Sequence, residues 1–124
     1  MNRAEFIALL DRMAEGWRSG DADLVAGCFA ETLWYGDPTR YAFTSRNALR
    51  PFFEPPPAGH WTVWHRIIFD EEQQTGAAEY TYQGHNRYHG AVVVTVAGGV
   101  VTHWREWQHL SEANWESFVN PPAK

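Results

Sequence analysis

Apolar residues in the first part of the chain recur at helical spacing. Phe6, Leu10, Met13 and Trp17 are separated by four, three and four positions, which predicts one buried stripe of a helix. Asn2 followed by Glu5 reads as its capping box, and Gly20 as its stop. Asp21 then caps a second helix whose apolar positions are Leu24, Val25, Cys28 and Phe29. Residues 32–35 read as extended, and Gly36-Asp37-Pro38 as turn chemistry. Ser45 opens a short third helix running to Phe53, with Pro51 expected to bend or end it.

Beyond Pro55-Pro56-Pro57 the period changes. Segments 60–70, 77–86, 89–97 and 100–109 are rich in Val, Ile, Thr, Trp and Tyr and are bounded by turn residues, so they read as strands. Gly98-Gly99 is a two-residue hairpin loop. Residues 111–119 predict a closing helix carrying Trp115 and Phe118. Helices followed by an antiparallel sheet make an α+β chain with the helices on one sheet face. At 124 residues it is read as one domain, with 54–59 a hinge inside it.

Charge and cysteine content narrow the partners. Ten Lys and Arg stand against 15 Asp and Glu, a net charge of −5, and no long basic run appears. Nucleic acid and anionic membrane surfaces are therefore not expected as partners. The lone Cys28 excludes an internal disulfide and fits a reducing compartment. Residues 1–6 are polar and charged, unlike a signal peptide, so a cytoplasmic location is expected. Seven Trp, seven Phe and five Tyr exceed what a small acidic core needs, so they line a cavity or cover an interface.

The order of these elements resembles the nuclear transport factor 2-like superfamily, in its SnoaL-like branch. The matching pieces are Gly20-Asp21, Phe29-Ala30, Asp37-Pro38, the segment 48–53, and Gly98-Gly99-Val100 leading into Trp104-Arg105-Glu106-Trp107. The resemblance spans nearly the whole chain. It implies a cone-shaped curved antiparallel sheet covered by N-terminal helices, a cystatin-like arrangement with a pocket at the wide end. Such scaffolds host several chemistries as well as plain binding.

If Gly98-Gly99 is the loop, Val93 faces Trp104, Ala91 faces Glu106 and His89 faces Gln108. The resemblance points Glu106 and Gln108 into the cone, which brings Trp104 and His89 with them. His103, Arg105 and Trp107 then face outward, as does Trp61, a surface suited to a homodimer. A single bulge would flip the assignment beyond it. For the preceding hairpin, a tight loop pairs Ile68 with Glu79, Arg66 with Thr81 and Trp64 with Gln83. That register makes Arg66 and Glu79 diagonal neighbours able to form an ion pair; otherwise Glu79 faces solvent.

The resemblance to steroid isomerases makes Asp37 a candidate general base, unless its carboxylate only caps an Asx turn before Pro38. The isomerase oxyanion donors are missing, since their positions fall near Met13 and at Ala91–Val92, which argues against that activity. The Arg-x-Asp of the family's epoxide hydrolases is replaced by Glu79-Tyr80-Thr81, although Glu106 matches the final acid. His89 with Asp37 and Tyr35 supplies the residue types of a dehydratase, or His89 is a structural histidine. The six histidines show no metal-ligand spacing, and neither a metal nor another cofactor is expected. The expected function is binding of a small apolar or aromatic molecule by Trp17, Tyr35, Trp64, Arg66, Trp104 and Gln108. Acid–base chemistry falls to Asp37, Glu79, His89 and Glu106. The alternative is a non-catalytic dimeric binding or assembly module using the outer sheet face.

Overall fold

The computed structural model describes residues 1–53 and 60–120. The proline-rich hinge expected at 54–59 lies outside the described residues. Helix α1 (Arg3–Ser19) starts at the expected capping box, in which the Asn2 side chain accepts from the Glu5 N–H and Glu5 Oε1 from the Asn2 N–H. It ends at Gly20, whose φ of 73° is the left-handed cap glycine takes without steric cost. Phe6, Leu10 and Met13 are fully buried along its lower face, each contributing about 2 kcal/mol of burial free energy.

Helix α2 (Ala22–Ala26) is capped by Asp21 as expected but stops earlier, because Phe29 belongs to strand β1 (Phe29–Asp37). Strand β2 (Tyr41–Ser45) follows where no element was expected. Ser45 caps α3 (Arg46–Leu49), which tightens into a 3-10 turn at Arg50–Phe53 around Pro51. The remaining strands are β3 (Trp61–Asp70), β4 (Thr75–Gln83), β5 (Arg87–Ala97) and β6 (Val100–Leu110). Helix α4 (Trp115–Val119) closes the described chain, capped by Asn114.

The six strands form one curved sheet in the order β2-β1-β6-β5-β4-β3. It is antiparallel throughout except where β1 runs parallel to β6, which corrects the wholly antiparallel expectation. Helix α1 lies on the concave face: Phe6 stacks on Phe69 at 4.5 Å, and the Trp64 indole donates to the Leu10 carbonyl at 3.2 Å.

Two irregularities decide which side chains enter the concave face. Gly98 and Gly99, with φ of 59° and 81°, form the expected loop, and Val96 pairs with Val101. The register then shifts, because Thr95 pairs with His103 and Thr102 is the extra residue of a bulge. Trp104, Glu106 and Gln108 still point inward, now opposite Val94, Val92 and Gly90. His89, Ala91 and Val93 are moved to the outer face. In the other hairpin Asp70 pairs with Thr75, and a bulge at His65 puts Trp64 opposite Tyr80 and Arg66 opposite Glu79. The expected pairs Ile68–Glu79, Arg66–Thr81 and Trp64–Gln83 do not form, because the loop is longer than a tight turn.

Candidate functional site

Between α1 and the concave face lies a cavity of about 310 Å³. Period-two alternation supplies its wall: Thr62 and Trp64 from β3, Tyr80 and Tyr82 from β4, and Trp104, Glu106 and Gln108 from β6. Tyr35, Tyr41, Tyr88 and Arg40 complete the polar side, and Trp17 with Phe52 and Phe53 the apolar cover. Tyr35 stacks on Trp104 at 5.6 Å with planes 5° apart. Trp17, Trp64 and Trp104 sit at centroid separations of 6.4 Å with mutually inclined planes and build one corner.

Glu106 is the buried acid of this cavity, with 3% of its surface exposed. Oε2 accepts from the Tyr80 hydroxyl at 2.8 Å and from Gln108 Nε2 at 3.4 Å. Oε1 accepts a short hydrogen bond from the Tyr41 hydroxyl. Burial raises its pKa, and the hydrogen bonds from Tyr41 and Tyr80 oppose that rise without cancelling it. Burial, with the neighbouring Glu106 carboxylate, holds the Tyr35, Tyr41 and Tyr80 phenols well above their usual range, so they act here as neutral donors. Burial likewise pushes Tyr82 up to about 12. Its hydroxyl meets His60 Nδ1 at 2.6 Å, and burial, with the nearby His85, holds His60 below the usual histidine value.

Asp37 is buried beside the cavity rather than in its lining. Its Oδ1 accepts from the Thr39 N–H at 2.9 Å and the Thr39 hydroxyl at 2.8 Å, and Oδ2 from Arg40 Nη2 at 3.0 Å. This is the Asx turn weighed above, with an ion pair added. Burial works against the charge, but these bonds outweigh it and hold the carboxyl below its usual range. Arg40 Nη2 also donates to Gln108 Oε1 at 2.6 Å, linking Asp37 to the Glu106 cluster.

Of the residues expected at the site, Trp17, Tyr35, Trp64, Trp104, Glu106 and Gln108 come together around the cavity. Arg66, Glu79 and His89 do not, because the two bulges turn them to the outer face. Arg66 and Glu79 are direct register partners instead of diagonal neighbours, and they form no ion pair. His89 is 1% exposed although it leaves the cavity: its ring stacks on Trp115 of α4 at 4.8 Å, and Nδ1 meets the Thr81 hydroxyl at 2.9 Å. Thr81 also meets His65 Nε2 at 2.6 Å.

Arg40, Tyr41, Tyr80, Tyr82 and Tyr88 were not anticipated. The alternation Ala78-Tyr80-Tyr82 is a usable signal for the lining of β4, whereas Tyr41-Phe43 alternates too briefly to mark β2. Among the described residues, no group of three His, Cys, Asp or Glu gathers as a metal site, and no helix is long and apolar enough to cross a membrane.

No protein-family model matches the chain, and no curated protein is similar to it in sequence. Solved structures are similar in fold. A protein of unknown function with a cystatin-like fold from Methylobium petroleophilum superposes with a TM-score of 0.78 at 18% identity, covering 91% of this chain and 81% of that one. A putative ketosteroid isomerase from Kribbella flavida gives 0.72 at 20% identity over 97% and 84% of the two chains. An epoxide hydrolase of the LEH-like type from M. tuberculosis gives 0.72 at 17% identity over 86% and 84%. With its helix-covered, six-stranded curved sheet, the chain has the nuclear transport factor 2-like, cystatin-like fold.

Proposed function

We propose that the cone binds a small molecule with an apolar or aromatic body and presents it to Glu106 for acid–base chemistry. The observation that carries this reading is one buried carboxylate, bonded to two neutral phenols, in a cavity lined mainly by aromatic side chains. A carboxyl with a raised pKa exchanges a proton with a bound substrate more readily at neutral pH than an ordinary glutamate. Tyr80 and Tyr41 stabilise its charged form and donate to a substrate oxygen once it displaces them. In this reading Asp37 is a positioning residue, because its oxygens are occupied by Thr39 and Arg40. Its partner Arg40 orients Gln108. Glu79, Arg66 and His89 support the outer face.

Tryptophan fluorescence titrated with steroid-like, polyketide-like and phenolic compounds tests the reading, since Trp17, Trp64 and Trp104 all report on the cavity. Saturable quenching is expected with at least one class; none with any class defeats it.

A second role rests on the outer face. Trp61, Val63, Ile68 and Trp107 are exposed there, and a homodimer would cover them. Sedimentation equilibrium decides: a monomer at micromolar concentration removes this role. The buried Cys28 thiol fits a reducing, cytoplasmic setting.

A further inference from the structure

The cavity's charge balance narrows the ligand further, resting on the reading that the cavity is a binding site. Glu106 is nearly fully buried, yet among the described residues no arginine, lysine or histidine forms an ion pair with it. Arg40, the arginine in the lining, is directed to Asp37 at 3.0 Å and to Gln108 at 2.6 Å. The Asp37–Arg40 pair is neutral in sum, which leaves the cavity with the formal charge of Glu106. Around it stand the inclined indoles of Trp17, Trp64 and Trp104, and aromatic faces carry negative electrostatic potential.

A neutral ligand gains stacking from the rings but no charge–charge attraction, and an anionic one is repelled by the carboxylate. A desolvated cation gains from both parts, the carboxylate by direct Coulomb attraction and the rings by cation–π contact. We infer that the ligand carries a positively charged amine or quaternary ammonium on an apolar or aromatic body, with the cation lodged between Glu106 and the indole corner. The volume of about 310 Å³ suits a compact molecule of this kind. The cation supplies the direct ion-pair partner that Glu106 lacks, Arg40 being linked to it only through Gln108.

Calorimetric or fluorescence titration of the intact protein with three probes tests this: phenyltrimethylammonium, its neutral isostere tert-butylbenzene, and benzoate. The expected result is binding of the ammonium probe about tenfold or more tighter than the isostere, with benzoate weakest. In Glu106→Gln the ammonium-to-isostere preference should fall to about twofold; a preference still near tenfold overturns Glu106 as the cation's partner. Equal or tighter binding of tert-butylbenzene to the unmodified protein overturns the inference and leaves the binding cavity intact. Tighter binding of benzoate overturns it in favour of Arg40 as the recognition group. Failure of all three probes to bind overturns both the inference and the binding reading beneath it.

Discussion

The Tyr80 hydroxyl donates to Glu106 Oε2 at 2.8 Å, joining side chains from β4 and β6 across the width of β5. The reach works because Gly90 of β5 lies opposite Tyr80 on one side and Gln108 on the other, leaving no side chain between them. The cavity's acid is thereby fixed to its wall by three strands. Its protonation, its hydrogen bonds and the stability of the sheet are coupled.

Glu106→Gln should remove a loss of stability that Glu106 imposes as pH rises. The folded state raises the Glu106 pKa above 4.5, so it binds the proton more tightly than the unfolded chain does. Stability from this group is therefore full at low pH and declines as pH rises from about the unfolded value through the folded one. The amide removes the decline, so the Tm of Glu106→Gln relative to the unmodified protein should be higher at pH 7 than at pH 4. Thermal unfolding of both proteins at pH 4 and pH 7 checks it; a Tm difference that moves against the variant from pH 4 to pH 7 counts against the sign.

Tyr80→Phe removes a donor from a buried carboxylate without changing the shape of the wall. The Glu106 pKa should rise further, and the pH at which ligand binding or turnover changes should move upward. A loss of about 1–2 kcal/mol in stability at pH 7 should accompany it. Denaturant unfolding gives the second quantity and carboxyl-resolved NMR titration the first.

His89 should make stability rise with pH. Burial, with the charges of Arg87 and His65 nearby, holds its folded pKa below 6.5, so the unfolded chain binds the proton more readily. Stability therefore increases between the folded value and about 6.5 and is level above, with a slope of at most about 1.4 kcal/mol per pH unit from this histidine. His60, also held low, adds the same sign. Replacing His89 by Gln should flatten the profile by its share; an unchanged slope assigns the effect elsewhere.

Gly90→Ala should disrupt the sheet at the site itself. A Cβ there would stand 2.2 Å from the Trp107 carbonyl oxygen and 3.2 Å from Gln108 Cα, both backbone atoms of β6. Relief requires β5 and β6 to separate, costing about 2–3 kcal/mol and weakening ligand binding along with stability. Alanine at Gly98, where a Cβ meets nothing within 4 Å, serves as a comparison that strains the loop but not the cavity.

Local signals were sufficient for much of the architecture. Asn2 and Glu5, Gly20, Asp21, Ser45 and Gly98-Gly99 act through neighbours a few residues away, so their caps and turns are written in short windows of chain. The stripe of Phe6, Leu10 and Met13 is equally local, and all three are buried where the period placed them. The resemblance assigns Glu106 and Gln108 to the inner face, and that facing holds because alternation along β6 is unbroken beyond the bulge at Thr102. Strand β2 was not legible, since the five residues of Tyr41–Ser45 hold too few alternations to stand apart from a loop.

By itself, then, the sequence determined the caps that start α1, α2 and α3, the end of α1 at Gly20, the four long strands and the aromatic, acidic character of β6, all properties of a residue and its near neighbours. The tertiary structure alone decided the bulges at Thr102 and His65. They arise from how strands pair, and they send His89, Arg66 and Glu79 to one face and Tyr80 and Tyr82 to the other. It alone brought Tyr41 and Tyr80 to Glu106 and Arg40 to Gln108, contacts made across 65, 26 and 68 positions of chain. Side-chain facing in a strand is a parity, so one inserted residue reverses it, and only the paired sheet records where that residue sits.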